Sequence, residues 1–252
     1  QYAYYRLRAR KGVALIVTES NYVREDGKNG KTRMGLHNDD VIPSHQLLTK
    51  AVHEEGAKVC AQLHYGGYTI SPKLLGHYPL SCSASPLMSR GDNLVGQIPR
   101  KMSVQDIKEL VSRYADAAYR AVCAGYDAIQ IHCAHGYFLN SFLSPHVNKR
   151  TDEYGGSGEN RMRIVLEIFA AIRGRIGSSF PMTARFTGEE SWDGGYDSEY
   201  IVSLIKSLEQ FNVCEASISG GNWETPQGIA PPYWYKKGTY AEVAGRIKKQ
   251  IG

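Results

Sequence analysis

Residues 103–132 read SVQDIKELVSRYADAAYRAVCAGYDAIQIH, an amphipathic stretch that delivers the chain into a short apolar run. Val104, Ile107, Leu110, Val111, Tyr114, Ala118 and Val122 recur at steps of three and four, which places them on one face of a helix. Ser103 and Asp106 have the spacing of a capping pair at its start, and Gly125 ends it. The run Ala128 to His132 is too short for a second helix and follows a turn, so it reads as a strand.

The same unit repeats on both sides. Short apolar runs at Val13 to Thr18, Lys58 to Leu63, Met182 to Phe186 and Val213 to Ser219 alternate with helical stretches at 42–55, 160–176, 198–210 and 240–251. The runs read as continuous rather than alternating, the pattern of parallel strands covered on both faces. Strand and helix in steady alternation predict an α/β fold with right-handed crossovers. A doubly wound sheet would carry a Gly-rich dinucleotide loop after an early strand, and no GxGxxG occurs. The prediction is a (β/α)8 TIM barrel, with residues 1–252 as part of one domain and the Pro-, Ser- and Gly-rich stretch 65–99 as an elaborated loop at the active-site face.

Composition narrows the function classes. The chain has 252 residues, 42% hydrophobic and 22% charged, which is globular. No stretch approaches the roughly 18 apolar residues of a membrane helix, so no membrane partner is expected. The net charge of +5 comes from basic residues spread among acids along the whole chain, which argues against nucleic acid as a partner. Five Cys with no CxxC pair predict unpaired thiols in a reducing, cytoplasmic compartment, with Cys60, Cys123 and Cys214 as small core residues.

In a barrel the chemistry sits at the C-terminal ends of the strands. Those positions carry Glu19 and Ser20, Gln62 and His64, His132 with His135 and Tyr137, Arg185, and Ser219 to Gly221. The cluster His132-Cys133-Ala134-His135-Gly136-Tyr137 is the densest. Zinc needs three or four ligands and no second pair is suitably spaced, so no metal is expected. The two imidazoles either satisfy buried backbone groups or donate toward a ligand oxygen. A phenol beside them stays protonated at neutral pH and suits a reaction in which an oxygen gains charge while a carbon gains a proton.

Around this cluster the sequence closely resembles the Old Yellow Enzyme family of flavin-dependent ene-reductases. The resemblance is carried by Gly125-Tyr126-Asp127 through Ile131-His132, His135-Gly136-Tyr137, Asn140 to Pro145, and Asn148 to Ser157 with Glu159-Asn160-Arg161. Weaker agreement extends over nearly the whole chain. It implies an FMN-binding (β/α)8 barrel in which Gln62 meets the flavin pyrimidine edge, Arg185 lies near flavin N1 and O2, and Ser20 lies against the flavin. It also implies that His132 and His135 hold the substrate carbonyl oxygen and that Tyr137 is the proton donor. Arg150, Asp152, Glu159 and Arg161 are expected to satisfy one another.

The implied activity is a ping-pong reduction of the C=C bond of α,β-unsaturated carbonyl compounds of enone, enoate, enoyl-CoA or steroid type, with NADH or NADPH as electron donor. The alternatives are an amine dehydrogenase of the trimethylamine dehydrogenase type and a non-catalytic fragment or paralogue that keeps the barrel. An iron-sulfur cluster and FAD are implied only for a C-terminal extension, and a homo-oligomer is compatible with the family. The chain departs from the family at His64-Tyr65-Gly66-Gly67-Tyr68, where the usual sequence is x-His-x-Gly-Arg. Gly158 stands where the family is generally apolar, and Trp192, Trp223, Tyr233 and Trp234 are expected either in the core or as a wall for a flat substrate. At roughly 48 residues per strand-helix unit, eight units would need roughly 390, so both ends read as cuts and the chain as about strands two to six of the barrel, with the flavin phosphate grip outside it.

Overall fold

The computed structural model describes residues 1–86, 96–223 and 225–251. Part of the expected elaborated loop, residues 87–95, lies outside them.

Helix α1 (Tyr2–Arg10) leads into strand β1 (Leu15–Tyr22), and the chain then alternates α2 (Ile42–His53), β2 (Lys58–His64), α4 (Val104–Cys123), β5 (Ala128–Cys133), α5 (Phe138–Leu143), α6 (Gly158–Ile176), β6 (Met182–Thr187), α7 (Ser198–Leu208), β7 (Val213–Ser219) and α9 (Ala241–Lys248). Single turns α3 (Pro72–Leu75) and α8 (Pro226–Ile229) and a two-residue ladder of β3 (Leu80–Ser81) with β4 (Arg100–Lys101) decorate the loops. The five long strands form one parallel sheet in the order β1-β2-β5-β6-β7. Strands that follow one another around a sheet without reversal match a barrel and not a doubly wound sheet, whose order reverses at a switch point.

The expected helix signals act as read. Asp106 N–H donates to Ser103 Oγ at 3.1 Å while Ser103 N–H donates to Asp106 Oδ2 at 2.8 Å, a closed capping box on α4. Ile107, Leu110, Tyr114 and Ala118 of that helix are buried, as are Ile164, Val165, Ile168, Phe169 and Ile172 of α6. Helix α6 begins at Gly158, two residues earlier than the spacing suggested, because Ser157 caps it by accepting the Asn160 N–H. The thiol expectation holds only in part. Cys60 is buried, whereas Cys123 lies off the buried face of α4 and Cys214 lies on the edge strand β7, and both are exposed.

One reading of the strands is corrected. Their register aligns Gln62 with Gln130, Gln130 with Thr183, and Thr183 with Glu215; two residues further along, His132 aligns with Arg185 and Arg185 with Ser217. Aligned residues of parallel strands share a face, and successive residues point to opposite faces. Val59, Ala61, Leu63, Ile129, Ile131, Met182, Ala184 and Phe186 therefore form one face, buried in the hydrophobic core. Cys60, Gln62, His64, Gln130, His132, Thr183, Arg185 and Ser217 form the other. The runs alternate in polarity after all, while β2, β5 and β6 are buried on both faces almost throughout, as expected, and the face away from the main core is largely polar.

Candidate active site

That polar face borders a cavity of about 860 Å³ lined by Gln62, Arg185, Thr18, Glu19, Ile16 and residues of α1. Gln62 is buried and donates from Nε2 to Gln130 Oε1 at 2.8 Å. Ser20 was expected just after its strand but lies within it, because β1 continues to Tyr22 past a register shift between Val17 and Ser20. It pairs with Gln62 in the ladder and is half-buried. The structure thus places Ser20, Gln62 and Arg185 along one face, with Gln62 and Arg185 in one cavity.

The cluster at 132–137 is held by the ends of β6 and β7. His135 has φ 65° and its backbone N–H donates to Thr187 Oγ1 at 2.9 Å. Gly136 follows with φ 72°, where a Cβ would come within 2.9 Å of Asn222 Cβ, so a side chain is excluded twice over. Its N–H donates to Asn140 Oδ1 at 2.7 Å, Asn140 donates onward to Tyr196 OH, and Tyr196 OH donates to Thr187 O. Tyr137 then stands at the N-cap of the buried helix α5, its ring edge-on to His64, His132 and Trp223 at 4.5, 5.1 and 5.4 Å between centroids.

The imidazoles form a directed chain. Ala134 N–H donates to His132 Nδ1 at 3.3 Å, which leaves the proton of neutral His132 on Nε2. That Nε2–H donates to His135 Nδ1 at 3.3 Å, and His135 Nε2–H donates to Ser219 Oγ at 2.8 Å. Ser219 Oγ also accepts from Arg185 Nη2 at 3.2 Å. Arg185 Nε and Thr183 Oγ1 are buried and have no partner among the described residues. The sequence marks His64 only as a polar strand end, yet it joins this cluster. Its edge contact with His132 spans 5.1 Å between centroids. Period-two alternation along 58–64 is the signal that could have placed it.

All three imidazoles are neutral near pH 7. Burial is the main cause, with the fields of neighbouring imidazoles and of Arg33 or Arg185 adding to it; His64 is pushed down to about 3, His135 to about 4, and His132 well below the ordinary value of 6.5. Their stabilisation is complete above pH 6.5 and is lost as pH falls toward 4, since the folded state binds fewer protons than the unfolded one there. Glu190, pushed up to about 7 by burial, works in the opposite sense: its contribution is full below 4.5 and lost as pH rises through 7. Three groups outweigh one, so the urea midpoint should be lower at pH 5.0 than at pH 6.5. An equal or higher midpoint at pH 5.0 would contradict neutral, buried imidazoles.

The remaining expectations divide. Arg150 donates to both Asp152 carboxylate oxygens and to the carbonyls of Cys82 and Met102, a structural anchor as expected. Arg161 does not join that network and donates instead to the carbonyls of Leu143 and Gly156. At the departure from the family pattern, buried Tyr65 donates to Asp26 Oδ2 and accepts from Arg24, closing a triad with the Arg24–Asp26 ion pair. Trp223 reaches Tyr137, Trp192 packs at a tilt against His146, and Tyr233 and Trp234 are exposed. Among the described residues no group of three or more His, Cys, Asp or Glu could hold a metal ion, and no helix is long and apolar enough to cross a membrane.

Residues 1–227 match the model of the NADH:flavin oxidoreductase / NADH oxidase family. The chain is 35% identical over 250 residues to an NADH oxidase of Thermoanaerobacter brockii, covering 98% of this chain and 38% of that protein. Among solved structures it is similar to a 2-naphthoyl-CoA reductase complex (TM-score 0.90, 27% identity, 98% of this chain and 39% of that one). It is also similar to an old yellow enzyme homologue from Zymomonas mobilis (TM-score 0.82, 26% identity, 100% and 70%) and to histamine dehydrogenase from Rhizobium sp. 4-9 (TM-score 0.88, 26% identity, 99% and 36%). The chain spans less than two-fifths of the T. brockii relative, and its five parallel strands are an arc of an α/β barrel. It belongs to the NADH:flavin oxidoreductase / NADH oxidase family, the family of the old yellow enzymes.

Proposed function

We propose that this chain contributes the FMN-binding and catalytic face of an oxidoreductase that uses NADH or NADPH to reduce the C=C bond of α,β-unsaturated carbonyl compounds. The observation that carries this reading is a phenol, two neutral imidazoles and an arginine with no carboxylate partner among the described residues, gathered at the ends of two adjacent strands, β5 and β6.

The residues present fit a flavin. Its pyrimidine edge presents both acceptors and a donor, and Gln62 offers both functions from a buried amide on the cavity wall. Arg185 offers an Nε–H that, like the nearby hydroxyl of Thr183, has no partner among the described residues. Gln62, Arg185 and Ser20 would hold the ring. When bound, FMN accepts a hydride from the nicotinamide and delivers one to carbon. Arg185, half-buried and cationic, stabilises negative charge on an adjoining ring edge more strongly than an exposed arginine would.

His132 and His135 bind the carbonyl oxygen. As neutral imidazoles they donate hydrogen bonds without transferring the proton, and the long 3.3 Å contact between them is readily given up to a ligand oxygen. Ala134 keeps the hydrogen of His132 on Nε2, and the Ser219 hydroxyl, which can donate as well as accept, lets the hydrogen of His135 move to Nδ1 once the contact between the two rings is given up. Tyr137 supplies the proton to the α-carbon from its O–H, its ring held edge-on by three aromatic neighbours. The similarity to histamine dehydrogenase favours amine oxidation as a second reading. The flavin absorbance of the holoenzyme, followed through one turnover with an enone and separately with a methylated amine, distinguishes the two.

A further inference from the structure

His64 is a buried side chain that the chemistry above does not use. It is 1% exposed, ends β2 on the polar face two residues beyond Gln62, and packs edge-on against both Tyr137 and His132. Neither ring nitrogen has a hydrogen-bond partner among the described residues. His132 and His135 have both ring nitrogens engaged; His64 alone of the three holds an unused N–H. Burying a polar group without a partner costs about 1–3 kcal/mol, and an apolar ring of similar shape would avoid that cost. The imidazole is therefore a poor choice for packing alone and a good one for meeting a ligand.

The surroundings narrow the ligand. The positive fields of Arg33 and Arg185 reach these imidazoles, and Arg33 is already paired with Glu19 while Arg185 has no carboxylate partner among the described residues. Neutral N–H donors from neighbouring strands in a positive field favour an anion with two acceptor oxygens on one carbon. A ketone has one such oxygen; a carboxylate has two. We propose that His64 is a specificity-determining contact that selects α,β-unsaturated carboxylates, its ring N–H holding one carboxylate oxygen while His132 and His135 hold the other. This rests on the ene-reductase reading and names the substrate class for the same site.

The test compares 1-cyclohexene-1-carboxylate with 1-acetylcyclohexene, which share a ring and differ at the carbonyl substituent, as substrates of the holoenzyme. A hydrogen bond to a charged group is worth about 1.5–3 kcal/mol, so His64→Phe should lower the acid-to-ketone ratio of kcat/KM about tenfold or more. His64→Gln keeps an N–H donor and should regain most of that ratio. Calorimetric binding of the saturated acid and the saturated ketone gives a readout independent of turnover: the wild type should favour the acid, and His64→Phe should lose that preference. A ratio within twofold of wild type in His64→Phe, or equal wild-type affinity for the two saturated ligands, overturns the assignment. If the wild type reduces neither substrate, the ene-reductase reading fails, and the binding comparison decides the role of His64 separately.

Discussion

Replacing Tyr137 by Phe should slow reoxidation of the reduced flavin by an enone about 10² to 10⁴-fold, the usual contribution of a positioned general acid. Reduction of the flavin by NADH or NADPH should change only a few-fold. The substitution removes one O–H and keeps the ring that packs against His64, His132 and Trp223, so the cluster has no reason to rearrange. Rapid-mixing absorbance measurements separate the two half-reactions. Equal slowing of both would remove Tyr137 from the proton-donor role and leave it as a packing residue.

Arg185→Met should act on the other half-reaction. The methionine retains an apolar stem on the cavity wall but brings no charge to the flavin edge, and loss of one such electrostatic contact typically costs about 10² to 10³ in rate. Flavin reduction by the nicotinamide should fall by that factor, and flavin affinity should fall with it. Thermal stability of the flavin-free protein should hold or rise, since burial already works against this cation and no carboxylate among the described residues is stranded by its removal. Unchanged flavin affinity and unchanged reduction would place Arg185 outside the cofactor site.

The sequence carried the architecture well and one face of it poorly. Helix α4 could be placed from its stripe and its Ser103–Asp106 box because both signals are local. The strand positions were legible, but their alternation was obscured by Cys60 and Ala128, small residues on the polar face that resemble core residues in a one-dimensional reading. Once Gln62 and Gln130 are seen to pair across strands, every second residue falls on the cavity side. Ser20 was misplaced for a different reason: the register shift in β1 carries the strand past polar residues that usually end one. His132, His135 and Tyr137 were legible through family resemblance, and the structure brings all three together. The wiring of the imidazoles to Ser219 and the convergence of His64 from another strand are tertiary facts, invisible until β2, β5, β6 and β7 are laid in order in one sheet.

The absorption spectrum of the holoenzyme through one anaerobic cycle tests the central claim most directly. A bound-flavin band should bleach on addition of NADH or NADPH and return in full with one equivalent of an α,β-unsaturated carbonyl compound, the saturated product appearing in equal amount. A folded protein with no flavin band, or a bleached flavin that such compounds leave reduced, would contradict the assignment.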